Sequence, residues 1–269
     1  MSASPGPSPA TPEVFDTHMD AWTAWQDSPW GRLRYRLVGD LLDRHLGPAE
    51  SAQRVLDLGG GDGADSVPLA VAGHDVTVAD SSRAMLDLAE RRARERGVAV
   101  AAVMAGVGDR RLLPEGNDVV LLHNVIQYCP DLADVLAAAV GAARPGGLVS
   151  VIATNPVMHV LRAAVRDLDP AAALAMLGAP TVHTVTFDHA VRRITWQEAA
   201  AALERAGADV VQRYGVLCVN HLVTDDERKH DPDFAADLER LELAVADRDP
   251  YRDIAAMWML VARRRAGSA

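Results

Sequence analysis

Four glycines, two aspartates and one histidine-led loop carry the residue types and spacings that could do chemistry in this sequence. Val55-Leu56-Asp57-Leu58 is a short apolar run suited to a buried parallel strand, and Gly59, Gly60, Gly61 and Gly63 then break it. Residues 64–71 can start a helix. Glycines at such a junction let the backbone turn tightly and approach a ligand with no Cβ in the way. A helix that follows aims its unpaired N–H groups and positive dipole end at whatever fills the turn. Strand, glycine turn and helix make a nucleotide-sized site at the carboxyl end of a sheet, although a plain strand-to-helix turn has the same pattern. The next apolar run, 74–80, ends in Asp80, seventeen residues after Gly63. A carboxylate there accepts hydrogen bonds from both hydroxyls of a ribose.

A dinucleotide fingerprint has the order G-x-G-x-x-G, with the diphosphate on the helix end. Here the order is D-x-G-G-G-x-G, from Asp57 to Gly63, which resembles the class I S-adenosylmethionine (SAM) methyltransferases. The resemblance implies SAM as methyl donor and S-adenosylhomocysteine (SAH) as product, with Asp57, Gly59, Gly60, Gly61, Asp80 and Ser81 at the cofactor. In that class a carboxylate at the place of Asp109, next to Gly108, commonly bonds the adenine amine. Methyl transfer from a sulfonium is an in-line displacement, so the site must align nucleophile and methyl and exclude water. A carboxylate nucleophile needs no base. A phenol, hydroxyl or amine can need one, and histidine suits that role near neutral pH. His123-Asn124-Val125-Ile126-Gln127-Tyr128 leaves the fourth strand where the methyl should lie. His123 is therefore either a cofactor-loop residue or a general base. Tyr128 and Asn155 either orient a substrate or satisfy local backbone groups. His159, His183, His189 and His221 read as surface or hydrogen-bonded loop residues. No metal-ligand spacing stands out, and a metal-free mechanism is expected.

The elements that must position these groups alternate along the chain. Residues 1–12 offer nothing to bury and are expected to form a disordered tail, leaving 13–269 as one domain. Trp22, Trp25 and Trp30 crowd one segment of a chain with five Trp. They either pack a cap over the core or wall an aromatic pocket. Leu33, Leu37, Leu41 and Leu42 fall at helical spacing, so cap helices are expected within 13–47. Ser81 or Ser82 can cap a helix that runs to about residue 96. Strands are expected at 98–103, 118–122, 148–153, 209–219 and 258–263, with helices starting at Asp131 and over 195–206. This pattern implies an α/β, Rossmann-like fold: a seven-stranded, mostly parallel sheet with helices on both faces. The final two strands lack a crossover, so the last should run antiparallel. Residues 155–190 depart from the alternation, with two short helices and a β-branched stretch over 181–187. They read as a small helical insertion on the substrate side. A charged segment, 225–249, separates the last two strands, with Leu238, Leu241 and Leu243 suggesting a helix.

A chain of 269 residues suffices for one substantial core. Its formal net charge of −10 and pI near 5.3 argue against general nucleic-acid binding, which gains affinity by neutralising phosphates. Lys229 is the only lysine, and Cys129 and Cys218 make no disulfide framework. The sequence lacks a leader-like start and any apolar run of membrane length. A cytoplasmic protein with no membrane or DNA partner is the expectation, its oligomeric state left open.

Further motifs narrow the likeness. W-G-R-L-R-Y-R-L-V, V-L-D-L-G-G-G-D-G, G-H-D-V-T-V-A-D-S-S, H-N-V-I-Q-Y, R-P-G-G-L-V-S and D-P-Y-R-D-I-A occur in that order. Together they resemble the CmoM-like methyltransferases, which methylate the carboxyl of 5-carboxymethoxyuridine in tRNA, over residues 15–264. The resemblance implies that Arg34 pairs with the SAM carboxylate, that Gly59 and Gly61 pass close to it, and that His123 lies beside the sulfonium. Two departures bear on the acceptor. The family's insertion carries a basic run, whereas residues 179–187 here have no Lys or Arg. After the sixth strand the family reads G-V-R with a later Asp, and here Leu217 and His221 stand in those places. A planar bidentate donor is what recognises a carboxylate, so its loss favours a small-molecule O or N acceptor over tRNA. An RNA reading would need phosphate contacts from Arg162, Arg166, Arg192 and Arg193. A non-catalytic SAM-binding module is the third reading.

Overall fold

Side-chain alternation along the strands builds two cores, one on each face of the sheet. In strand β1 (Arg54–Leu58), Val55 joins one buried cluster while Leu56 and Leu58 join the other, as a two-residue period requires. These positions come from a computed structural model that describes residues 19–47, 51–184 and 189–267. The tail at 1–12 and the start of the cap lie outside them.

The chain opens with α1 (Met19–Asp27) and α2 (Pro29–Asp43), then β1, α3 (Val67–Val71), β2 (Asp75–Asp80), α4 (Arg83–Glu95), β3 (Ala101–Met104) and β4 (Asn117–His123). It continues through α5 (Leu132–Ala142), β5 (Ala143–Thr154), α6 (Pro156–Val165), α7 (Pro170–Met176), β6 (Thr181–Thr184) and β7 (His189–Arg192). It ends with α8 (Trp196–Arg205), β8 (Ala208–Val216), α9 (Pro232–Val245) and β9 (Met257–Arg264). The main sheet has seven strands in the order β3-β2-β1-β4-β5-β9-β8. β9 pairs antiparallel with both β5 and β8, so the last strand alone is reversed. The order turns back between β1 and β4, which is where a doubly wound sheet opens a crevice for a ligand.

One cluster packs Leu56, Val120, Leu122, Val149 and Val151 against Leu136 of α5 and Leu203 of α8. The other packs Val55, Val76, Val119, Leu121 and Ile152 against Leu33, Leu37 and Leu41 of α2, Leu86 of α4 and Leu238 of α9. The same parity has a consequence for the site. Asp57 follows Val55 by two, His123 follows Leu121, and Ser150 lies between Leu148 and Ile152. All three therefore project from the face that α2 covers.

Capping fixes where the helices start. Ser82 accepts from the Met85 N–H and begins α4, so Ser81 is left outside. Asp131 accepts from the Ala133 and Asp134 N–H groups at α5, and Thr195 forms a capping box with Glu198 at α8. Three boundaries differ from the sequence expectation. The third strand forms only at 101–104. The fifth strand, expected over 148–153, starts earlier and takes in residues 143–147, because Asn117 pairs with Ala143 before the ladder resumes at Val119 and Leu148. The sixth strand stops at Val216, where Leu217 takes a positive φ of 59° and redirects the chain. The insertion holds the two short helices expected of it. Beyond α6 and α7, Thr181–Thr184 pairs with His189–Arg192 as a separate two-stranded hairpin. Residues 185–187 of the expected β-branched stretch lie outside the described residues. The charged segment holds α9. Among the described residues, no helix is long and apolar enough to cross a membrane.

Candidate active site

A cavity of about 340 Å³ opens at the carboxyl ends of β1, β2 and β4, under the N-terminal helices. Its floor is the glycine turn. The Gly59 and Gly60 N–H groups donate to the Ala79 carbonyl at 2.7 and 3.2 Å, which fastens the turn to β2. Gly59 has φ +69°, and a Cβ there would come within 2.7 Å of Val125. At Gly60 a Cβ would meet the Asp57 carboxyl at 2.5 Å. Only glycine fits both positions.

Asp80 ends β2 at the cavity edge. Its Oδ2 accepts from the Gly61 N–H at 2.9 Å and its Oδ1 from the Ser82 N–H at 2.8 Å. These bonds lock the carboxylate in place and tie the turn to the start of α4. A carboxylate fixed at the cavity edge suits a vicinal diol. Ser81 is exposed beside it on the cavity wall.

The centre of the site is a residue that sequence reasoning passed over. Asp65 binds Arg34 through Oδ1 and His123 Nδ1 through Oδ2, the latter at 2.9 Å. His123 Nε2 meets Ser150 Oγ at 2.8 Å. Burial alone would push the Asp65 carboxyl up, but Arg34 and His123 outweigh it and hold the group well below the usual carboxylate range. An ionised Asp65 can only accept, so His123 Nδ1 carries the proton and Nε2 accepts from the serine hydroxyl. Burial also lowers the His123 pKa, against the pull of Asp65, and keeps the ring neutral. Both ring nitrogens are thus spent on protein partners. Of the two roles expected for His123, this geometry matches the cofactor-loop one: His123 holds Asp65, and Asp65 holds Arg34. The only signal in the sequence was a carboxylate just before the short α3, which matches no motif.

Arg34 is 1% exposed, with its Nε buried and unpartnered and its Cζ 4.6 Å from the centre of the Tyr35 ring. Asp57 is buried beneath the turn with Oδ2 unpartnered. Burial, reinforced by Asp65 and Asp80, raises its pKa to about 7. A second network braces the roof. Arg92 of α4 bonds Asp62 at 2.6 Å and Gln26 at 3.0 Å, and Gln26 Nε2 donates to the Tyr35 hydroxyl at 3.0 Å. Trp22 and Trp25 stack at 5.4 Å, and Trp25 meets the Tyr35 ring edge-on at 6.3 Å. Both tryptophans line the cavity. Trp30 instead lies near Lys229, whose Nζ sits 5.5 Å from its ring. Tyr128 lines the cavity and stacks on His189 of the hairpin at 6.4 Å.

Three expected residues lie elsewhere. Gly108 and Asp109 do not line the cavity. The Asp109 carboxylate accepts from the Gly106 N–H at 2.9 Å and closes its own exposed loop. Val107 is the residue of that loop that reaches the wall. Asn155 caps α6 through the Val157 N–H and donates Nδ2 to the Asp253 and Ala255 carbonyls, each at 2.9 Å. Its polar atoms serve the fold, which the order Asn-Pro at a helix start signals.

The donors present fit the amino-acid end and sugar of SAM. Arg34 suits its carboxylate, the unpartnered Asp57 oxygen suits an ammonium, Asp80 suits the ribose, and the bare glycine turn leaves room for close approach. A methyltransferase domain model matches residues 56–149. A ubiquinone biosynthesis O-methyltransferase of Methylobacterium sp. (strain 4-46) is 30% identical over 234 residues, 81% of this chain and 89% of that protein. The chain belongs to the class I SAM-dependent methyltransferases. A second relative of this methyltransferase is the tRNA 5-carboxymethoxyuridine methyltransferase of Escherichia coli (strain K12), 32% identical over 133 residues. That match covers 46% of this chain and about half, 49%, of the relative. Among solved structures, the magnesium protoporphyrin IX methyltransferase of Synechocystis PCC 6803, with bound SAH, superposes with a TM-score of 0.60 at 15% identity. It covers 94% of this chain and 96% of that one, a likeness of fold. Among the described residues of the methyltransferase, no group of three His, Cys, Asp or Glu side chains is placed to hold a metal.

Proposed function

We propose that this methyltransferase moves the sulfonium methyl of SAM to an oxygen or nitrogen of a small-molecule acceptor. The observation that carries the reading is the placement of an aromatic-walled cavity directly over the glycine turn and Asp80. When bound there, SAM supplies a methyl already activated by its positive sulfur, so the chemistry calls for alignment more than for acid or metal. Asp80 would hold the ribose and Arg34, braced by Asp65, the carboxylate. Asp57 would face the ammonium. Trp22, Trp25 and Tyr35 keep water from the roof, which supports an in-line displacement. His123 and Ser150 fix Asp65 from below and take no proton from the acceptor.

The likeness to a tRNA methyltransferase supports a second reading, but each of the four arginines it would need faces a protein partner. Arg166 bonds Asp226 and the Val223 carbonyl. Arg193 bonds the carbonyls of Met176, Ala179 and Pro156. Arg192 reaches the Pro130 carbonyl at 3.4 Å, and Arg162 faces Asp167 at 3.7 Å. A filter-binding titration with bulk tRNA separates the two readings. The small-molecule reading expects no saturable binding in about 0.15 M salt. Tight binding that weakens steeply as salt rises would replace it with the RNA reading.

A further inference from the structure

The cavity divides by the elements that wall it. The glycine turn, Asp80, Ser81 and Val107 hang from the β1–β3 side of the sheet. Residues from the loop after β4, together with Thr154 of β5 and Met257 of β9, form the other half, with Trp22 and Trp25 closing over from α1. The first half matches the cofactor, so the second faces the acceptor.

Three features of that second half define a chemical class. No Lys or Arg side chain lines it among the described residues. Among the described residues of the whole lining, the one guanidinium is Arg34 on the cofactor side, already held by Asp65. An anionic acceptor would find no cationic partner on that half, and a carboxylate is recognised by such a donor. The second feature is a pair of buried side-chain oxygens with no hydrogen-bond partner, Gln127 Oε1 and Asn124 Oδ1. Gln127 is 3% exposed, and its Nε2 donates to the Asn124 carbonyl at 3.0 Å, which leaves Oε1 as the end without a donor. A buried acceptor oxygen left without a donor is costly, and an arriving N–H group removes that cost. The third is the concentration of aromatic rings. Trp22, Trp25, Tyr35 and Tyr128 meet at this cavity in a chain with only five Trp, four Tyr and three Phe. Ring faces bind planar rings and cationic nitrogens together.

We propose that the acceptor is a planar aromatic compound bearing an amine, stacked on the aromatic wall with its N–H groups on Gln127 and Asn124, and that carboxylate-bearing acceptors are rejected. The inference rests on the methyltransferase reading above. The amine arrives protonated and gives one proton to water. Its freed lone pair then attacks the methyl carbon, and the carbon–sulfur bond breaks with its electrons left on sulfur. The product carries the methyl on nitrogen, and the sulfur becomes the neutral thioether of SAH.

Calorimetry on the protein saturated with SAH tests this with three probes of one shape: 2-phenylethylamine, 2-phenylethanol and phenylacetate. The amine should bind about tenfold more tightly than phenylacetate, with the alcohol between them. Gln127→Leu should weaken the amine about tenfold and leave phenylacetate unchanged. Trp25→Ala, a second variant, should weaken the amine and the alcohol alike. Thermal unfolding with and without SAH verifies that each variant folds and loads. Phenylacetate binding as tightly as the amine, an amine that fails to bind the SAH complex, or an unchanged amine affinity in both variants overturns the proposal. Failure of SAH itself to bind would sink the cofactor site as well, so the two readings fail on different measurements.

Discussion

At the scale of single residues, the site is governed by who neutralises whom. Arg34 is buried, and a guanidinium in that position needs a carboxylate. Asp65 supplies it, and His123 with Ser150 keeps Asp65 turned the right way. Removing one member of a buried pair leaves the other uncompensated, at a cost of about 3–5 kcal/mol. Asp65→Asn should therefore lower stability by roughly that amount in urea unfolding and weaken SAM binding. Asp65 titrates far below its unfolded value, so its contribution is fully present above about pH 4 and is lost as pH falls below it. The stability gap between wild type and variant should shrink over that acid range. A gap that stays constant with pH would mean the carboxylate is not the stabilising group. Asp57 behaves in the opposite sense. Its folded pKa of about 7 lies above the unfolded value, so the ligand-free protein should lose stability as pH rises through about 4 to 7. Asp57→Asn should flatten that decline when thermal midpoints are compared across the range.

Sequence reading reached Asp80, the glycines and the His123 loop because each sits at a strand end in a recognisable spacing. It missed Asp65 because the pairing joins residues 31 and 58 positions apart in the chain. Such a contact exists only once the β1, β4 and β5 side-chain parities and α2 are assembled.

At the scale of elements, the glycine turn carries the largest local constraint. Gly59→Ala would force a side chain into the left-handed region, at about 1–2 kcal/mol, and press its Cβ on Val125. The expected outcome is a folded but less stable protein that binds SAM more weakly, read by thermal unfolding and calorimetry. Retained affinity would show that the turn does not approach the ligand. Strand and helix positions were legible because the apolar period is strong, as in 55–58 and 118–122. Boundaries were less so where long-range bonds decide them. The loop after β8 ends its strand early because the buried Glu242 carboxylate accepts from the Cys218, Val219 and Asn220 N–H groups at 2.5, 2.8 and 2.6 Å. That glutamate lies on α9, a helix its leucines announce, but nothing local marks this one acid as buried. The acid expected at the adenine, Asp109, has a local partner that its spacing did not announce. One of its carboxylate oxygens accepts from the Gly106 N–H and closes the loop.

At the scale of the whole molecule, the sheet order places one crevice between the outward-running halves, and α1 and α2 roof it with aromatic rings. Charge follows the same division. The chain is acidic overall, its exposed arginines are largely tied to neighbouring acids or carbonyls, and its cavity is richer in carboxylates than in guanidiniums. The account depends above all on a sulfonium nucleoside lying across the tips of β1 and β2 with its ribose on Asp80. Isothermal calorimetry with SAM, on wild type and Asp80→Ala in parallel, tests this most directly. The account predicts one site per chain in the wild type and an affinity about a hundredfold weaker in the variant, the loss of charge-assisted hydrogen bonds to the ribose. An unchanged affinity in Asp80→Ala, or tighter binding of NAD than of SAM by the wild type, would contradict it.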